Sequence, residues 1–236
     1  MRRQKRLRKV LMIALRYACW FAVAALLLQP DIARSEELHA RFRYSEDAIT
    51  KNDLLLAKGA DDPLQGPLSR AVSMGYADVI VLMLRDAAVV RNEGPYALNL
   101  SVQQGRLEIT QLLLASGVSP NEPIKGGWYP YAEAAKQGDV SSMCLMLDYG
   151  VNVSLKNDRV GNLVMALSGR HFDAAVLLML SGYVPDDSEK KKVLGLGDRW
   201  GARELYSAVM SIKPNEGSLS QQCKAAEKSW KSVMAK

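Results

Sequence analysis

Histidine and cysteine are scarce in this chain of 236 residues, which has two histidines and three cysteines. Nucleophilic and acid–base catalysis usually need a histidine near a nucleophile or an acid. Neither His39 nor His171 lies in a recognised pattern of that kind. Metal sites draw on the same residues, and no spacing typical of a zinc site occurs. The sequence therefore predicts that the protein is not an enzyme and holds no metal or cofactor.

An excess of positive over negative charge is also lacking outside residues 1–35, although the net charge of the whole chain is +6. Residues 1–35 hold eight of the 31 Lys and Arg residues against one acid, Asp31. The remaining 23 basic and 24 acidic residues give a net charge near −1, whereas nucleic-acid binding needs a basic surface. We therefore expect no nucleic-acid partner. Gly195 and Gly197 lack the spacing of a nucleotide-binding loop.

Residues 1–35 have the pattern of an export signal. A basic stretch from Arg2 to Lys9 precedes an apolar run that reaches Leu28, and small residues predict cleavage after Ser35. The alternative is an uncleaved anchor, because the apolar run is long enough to cross a bilayer. In both cases the basic residues stay in the cytoplasm. We therefore expect the rest of the chain in the periplasm of a Gram-negative bacterium, free or tethered to the inner membrane by this segment alone.

One pattern recurs four times between Pro67 and Pro185. Each copy has a small residue, a lead residue four positions later, and then a triplet of large aliphatic residues. The small residues are Ala71, Ser101, Ala134 and Ala166, and the lead residues are Gly75, Gly105, Gly138 and Arg170. The leads step by 30, 33 and 32 residues. That period is typical of a β-turn followed by two antiparallel helices, a unit that buries its apolar face by stacking on its neighbours.

Weaker copies flank the four good ones and are expected to act as terminal caps. One surrounds Leu54, and the other follows Gly201. Residues 214–236 then place Leu219, Cys223, Ala226, Trp230 and Val233 at helical spacing. This predicts an amphipathic helix that caps the last repeat, with a partner-binding helix centred on Trp230 as the alternative.

The array resembles the ankyrin-repeat family. The family motif Thr-Pro-Leu-His opens the first helix of each unit, and Pro130 and Tyr131 match its Pro and Leu in the third copy. The consensus histidine is absent and is replaced by Ser69, Asn99, Ala132 and Val164. The resemblance implies an all-α solenoid over residues 36–213, with four good repeats and degenerate caps. It also implies non-catalytic protein binding along the first helices and turns.

The resemblance further indicates which positions would contact a partner, namely those 13, 12, 10, two and one residues before each lead. In this chain the candidates are Asn92, Glu93, Gln103 and Gln104 in the second copy; Lys125, Trp128, Lys136 and Gln137, with Tyr129 beside them, in the third; and Asn157 and Asp158 in the fourth. Trp128 is the strongest candidate because aromatic anchors dominate interface energies. Its alternative role is local packing. Tyr131 takes a core position.

The cysteines outside the export segment are Cys144, among the apolar residues of a second helix, and Cys223 in the tail. We expect Cys144 to be a buried thiol, because free cysteine behaves as a small core hydrophobe. A disulfide to Cys223 is the alternative that an oxidising compartment permits.

These features together predict an exported binding module, monomeric when free, that binds and inhibits or regulates one protein partner. By analogy of fold, an immunity protein against a secreted toxin is the form favoured. The alternative is a membrane-tethered scaffold of an envelope complex.

Overall fold

The computed structural model describes residues 48, 50–51, 66–157, 160–214, 221–224 and 226. All of them belong to one compact unit that spans residues 42–236. The export segment, the weak copy around Leu54 and the candidate residue Asp158 lie outside the described residues.

Within residues 66–157 and 160–214 the chain forms five helix pairs and one additional short helix. Repeat one comprises α1 (Pro67–Met74) and α2 (Ala77–Met83), and α3 (Ala87–Asn92) follows it. Repeat two comprises α4 (Gly94–Gln103) and α5 (Leu107–Ala115), and repeat three comprises α6 (Pro130–Gln137) and α7 (Val140–Asp148). Repeat four comprises α8 (Asn162–Ser168) and α9 (Phe172–Leu180), and repeat five comprises α10 (Asp187–Arg199) and α11 (Arg203–Met210). None of these helices combines the length and apolar character needed to cross a membrane.

The lead residue of every repeat has left-handed backbone at the turn between the paired helices. The φ angles of Gly75, Gly105, Gly138, Arg170 and Gly201 are 74°, 64°, 70°, 61° and 64°. In each repeat the residue after the lead donates its backbone N–H to the carbonyl of the small residue four positions before the lead, over 2.8–3.0 Å. The same bond in five turns confirms the predicted register.

The small residues at this register let the first helices of neighbouring repeats approach closely. Ala71, Ser101, Ala134 and Ala166 are completely buried. Ser101 is the polar member of the set, and its hydroxyl bonds the Leu98 carbonyl over 2.8 Å and the Thr110 hydroxyl over 2.9 Å. Buried polar groups need such partners. Tyr131 is also buried, as predicted.

The connection after repeat one differs from the others. Gly117, Gly150 and Gly182 follow the second helices of the next three repeats with positive φ, the backbone that ends a helix at glycine. After repeat one, by contrast, the Asp86 carboxylate accepts the Ala88 N–H over 2.8 Å and caps α3. Ala87 therefore begins a helix at the point where the other repeats have a loop glycine.

Repeat five is better formed than its sequence suggests. Gly197 lies inside α10 rather than in a loop, and a methyl group there would lie 2.9 Å from the Arg203 Cα and 3.2 Å from Tyr206. Tyr206 is buried, contacts the Phe172 ring edge-on at 5.4 Å, and donates its hydroxyl to the Leu167 carbonyl over 3.1 Å. These contacts pack repeat five firmly onto repeat four.

The prediction of a free thiol at Cys144 is wrong, because Cys144 is joined to Cys223 by a disulfide with a Cα–Cα distance of 6.0 Å. Cys144 lies half-buried on α7, on the part of the helix that the neighbouring repeats leave accessible. The described tail residues are helical, and Ala226 is completely buried. The disulfide attaches this part of the tail to repeat three rather than to the last repeat.

Candidate protein-binding surface

The turn that precedes α6 presents the principal candidates of repeat three. The Ile124 N–H donates to the Trp128 carbonyl over 2.8 Å, and the Gly127 N–H donates to the Ile124 carbonyl over 3.0 Å. Gly126 and Gly127 have φ angles of 95° and 74°, which side chains disfavour. The two glycines thus allow a tight turn that projects Lys125, which is exposed.

Repeat two supports this turn from the side. The Lys125 N–H donates to the Tyr96 hydroxyl of α4 over 2.9 Å. Tyr96 is half-buried, and the family offsets do not select it because it lies one residue from a variable position. Its hydroxyl fixes the position of the projecting turn relative to repeat two.

Trp128 is half-buried and lies beneath the side chain of Lys136. The Lys136 ammonium is 5.2 Å from the centre of the indole ring, which is within cation–π range. Local packing and partial exposure therefore coexist at Trp128. The indole contacts Lys136, and the residue remains partly exposed to solvent.

Glu133 connects Lys136 to repeat two. This carboxylate is only 6% exposed, accepts the Gln137 amide over 2.9 Å, and lies 3.4 Å from the Lys136 ammonium. Gln137 also donates to the Gln103 carbonyl over 3.3 Å. The spacing of Glu133 from Lys136 and Gln137, three and four positions along one helix, is the sequence signal for this contact.

A continuous exposed surface follows the ends of the first helices. We call the side chains one and two residues before each lead the first-helix face. Its members are Ser73, Met74, Gln103, Gln104, Lys136, Gln137, Ser168, Gly169, Arg199 and Trp200, all exposed except the half-buried Gln137. Repeat five matches the consensus only weakly, but the repeat period alone places Arg199 and Trp200 on this face.

Two candidates near the turns serve the packing instead. Asn157, predicted to be exposed, is only 7% exposed, because its Oδ1 accepts the Tyr129 N–H over 3.1 Å and its amide contacts the Met165 sulfur at 3.6 Å. The Glu93 carboxylate, on a half-buried residue, accepts the Leu68 N–H over 2.9 Å. The expectation of an exposed Asn157 is therefore wrong, since this side chain joins repeats three and four.

We expect Asn157→Ala to lower the free energy of unfolding by about 1–2 kcal/mol, because it leaves the Tyr129 N–H without its acceptor. Asn92→Ala is the matched control, since Asn92 occupies the same position of repeat two but is exposed at the end of α3. Urea unfolding of both variants measures the difference. Equal stability of the two variants would contradict the packing role.

Glu189 has the role of Glu93 at the same position of repeat five. It is 3% exposed, and its carboxylate accepts the N–H groups of Leu163 and Val164 over 3.0 and 3.3 Å and the Tyr183 hydroxyl over 2.7 Å. The Lys156 ammonium lies 3.8 Å away. Burial, followed by the hydrogen bond and the charge of Glu189, raises the pKa of Tyr183, so the phenol stays protonated.

Within the described residues no group of three potential metal ligands lies together. His171 is half-buried, and its ring fills the space beside Gly138 and Gly169, where added side chains would collide with it. The packing accounts for this histidine without a chemical role.

Comparison with known proteins gives distant, partial similarity. No family profile matches the chain. A relative from Mustela putorius furo, "Ankyrin repeat, SAM and basic leucine zipper domain-containing protein 1", is 29% identical over 104 residues, which is 44% of this chain and 22% of that protein. Its namesake from Otolemur garnettii is 33% identical over 73 residues, 31% of this chain and 15% of that protein. The chain thus spans less than a quarter of these relatives.

These similarities agree with the helix pairs described above. The fold is an all-α stack of ankyrin-type helix-turn-helix units. Repeats of this kind act as protein-binding modules, and they are typically non-catalytic.

Proposed function

We propose that the protein is an exported binding module that holds one partner protein on the first-helix face and the adjoining turns, and thereby inhibits or regulates it. Trp128 carries the proposal, because Lys136 lies over its ring while the residue stays partly exposed to solvent. A pre-positioned aromatic side chain gains binding energy at low entropic cost.

Two features support export. Residues 1–35 have the sequence of a signal or an anchor. The Cys144–Cys223 disulfide is of the kind that persists in oxidising compartments. Mass spectrometry of the N-terminus in the native host distinguishes a released module from a membrane-tethered one. Cleavage after Ser35 supports a released module, for which an immunity protein is the favoured role. An intact N-terminus supports the membrane-tethered scaffold.

The partner itself is sought by affinity capture with the tagged full chain, followed by mass spectrometry. We expect one protein to be enriched over the same capture with Trp128→Ala. Enrichment of the same proteins by both forms would contradict a specific site at Trp128.

We expect Trp128→Ala to weaken binding of the captured partner about 30-fold, or roughly 2 kcal/mol, as for an interface anchor. Leu107→Ala is the matched control, because Leu107 is 41% exposed and begins α5, a second helix that lies outside the first-helix face and its turns. Titration calorimetry measures both dissociation constants, and thermal unfolding checks that both variants fold. A folded Trp128→Ala variant with an unchanged dissociation constant would overturn the assignment.

A further inference from the structure

Arg170 has a backbone conformation that its residue type disfavours. It is the one non-glycine residue with positive φ in the described part of the chain, and the other four repeats have glycine at this position. A left-handed conformation is unfavourable for a residue that bears a side chain. A strained backbone that is retained where glycine would serve is a reason to look for a role of the side chain.

The Arg170 side chain lies on the outer surface, over the ring of Trp200. The guanidinium is 4.8 Å from the ring centre, Arg170 is exposed, and Trp200 is 44% exposed. An exposed cation–π contact is weak and does no more than offset the backbone strain. Stability therefore does not account for arginine at this position.

The pair Arg170–Trp200 repeats the arrangement of Lys136 and Trp128. The two pairs are linked through repeat four, because the Lys136 carbonyl lies 3.3 Å from where a side chain on Gly169 would begin. Ser168 and Gly169 leave this stretch of the first-helix face without large side chains. Along the stacked repeats three to five lie the cations Lys136, Arg170 and Arg199, with Trp128 in repeat three and Trp200 in repeat five, and we call this stretch the path.

Negative charge along the same path is already engaged. Glu133 is buried beneath Lys136 and Gln137, and Asp198 pairs with Arg203. Among the described residues no carboxylate forms an ion pair with Arg170 or Arg199. The path is therefore cationic, although the chain beyond residue 35 has a net charge near −1.

We propose that this path binds an acidic, extended segment of the partner protein, with carboxylates on Lys136, Arg170 and Arg199 and apolar side chains on the two tryptophans. Charge complementarity carries the assignment, since arginine binds carboxylates through paired hydrogen bonds. The inference rests on the proposed function and specifies the partner's chemistry. The positive charge is confined to this one path, and nucleic acid would need a broader basic surface, so an acidic peptide is the favoured ligand.

The test uses a phage-displayed library of random dodecapeptides, selected on the full-length, oxidised protein. We expect the selected peptides to be enriched in Asp and Glu. A synthetic copy of the best peptide should bind about tenfold more tightly than its Asn/Gln counterpart. Peptides that are uncharged or basic, or the absence of any selected peptide, would overturn the proposal.

Arg170→Gly separates binding from folding. Glycine relieves the backbone strain, so we expect the thermal midpoint to be unchanged or raised while the acidic peptide binds about tenfold more weakly. Lys190→Gln is the control, because Lys190 is an exposed cation on α10 that pairs with Asp187 and lies off the path. Unchanged peptide binding by Arg170→Gly contradicts the proposal, as does a single-stranded oligonucleotide that displaces the peptide at lower concentration.

The outcomes also distinguish this inference from the proposed function. If uncharged peptides are selected and Trp128→Ala abolishes their binding, the proposed binding surface is supported and its specificity for acidic segments is contradicted. If affinity capture enriches no protein that depends on Trp128, the proposed function falls, whatever the peptides show.

Discussion

Removing the disulfide with Cys144→Ser and Cys223→Ser is expected to lower the free energy of unfolding by about 2–4 kcal/mol. The two residues are 79 positions apart, so the bond closes a long loop in the unfolded chain and restricts its entropy strongly. In the folded chain it holds the tail on α7. Both effects are lost together in the double variant.

Urea unfolding with and without reductant measures this contribution, and the double variant is the control whose midpoint reductant should leave unchanged. A second readout is trypsin cleavage after Lys224, which is exposed in the tail. Because each repeat contacts only its neighbours, we expect reduction to release the tail to protease while the repeats stay folded. Equal urea midpoints for oxidised and reduced protein would contradict this expectation.

The repeat register could be predicted because it depends on local chemistry. A glycine that ends a helix in left-handed backbone and a small residue one turn earlier act within a few positions of each other. Gly75, Gly105 and Gly138 illustrate this, since each of them has positive φ. Gly201 of repeat five also has positive φ, and this repeat is firmly packed although its sequence matches the consensus only weakly.

The disulfide and the buried candidates could not be predicted in the same way. The bond between Cys144 and Cys223 depends on where the tail returns to the stack, which no local pattern encodes. The family offsets give the position of Asn157 but not its exposure, which depends on the neighbouring turn around Tyr129. Whether Trp128 and the other exposed candidates contact a partner stays a prediction.

Glu93 and Glu189 reveal a second regularity, 12 residues before the leads of repeats two and five. Each carboxylate caps the first helix of the preceding repeat at the same position, through Leu68 or Leu163. Negative charge at a helix N-terminus satisfies free N–H groups and interacts favourably with the helix dipole. At this family position Glu93 and Glu189 therefore stabilise the contact between neighbouring repeats, whether or not a partner is bound.

We expect Glu189→Ala to lower the free energy of unfolding by about 3 kcal/mol or more. The substitution leaves the N–H groups of Leu163 and Val164 and the hydroxyl of Tyr183 without their acceptor, and Tyr183 is itself only 1% exposed. Each unsatisfied buried group costs about 1–3 kcal/mol. Faster hydrogen exchange at the Leu163 amide should localise the effect to the start of α8.

Two comparisons separate the cap from a general effect of losing an acid. Glu189→Gln keeps an acceptor for the N–H groups but removes the charge beside Lys156, so a smaller loss of about 1 kcal/mol is expected. Glu204→Ala removes an exposed glutamate from the first turn of α11 and should change stability by no more than about 0.5 kcal/mol. If Glu189→Ala were as stable as Glu204→Ala, its carboxylate would not be holding repeat five to the start of α8.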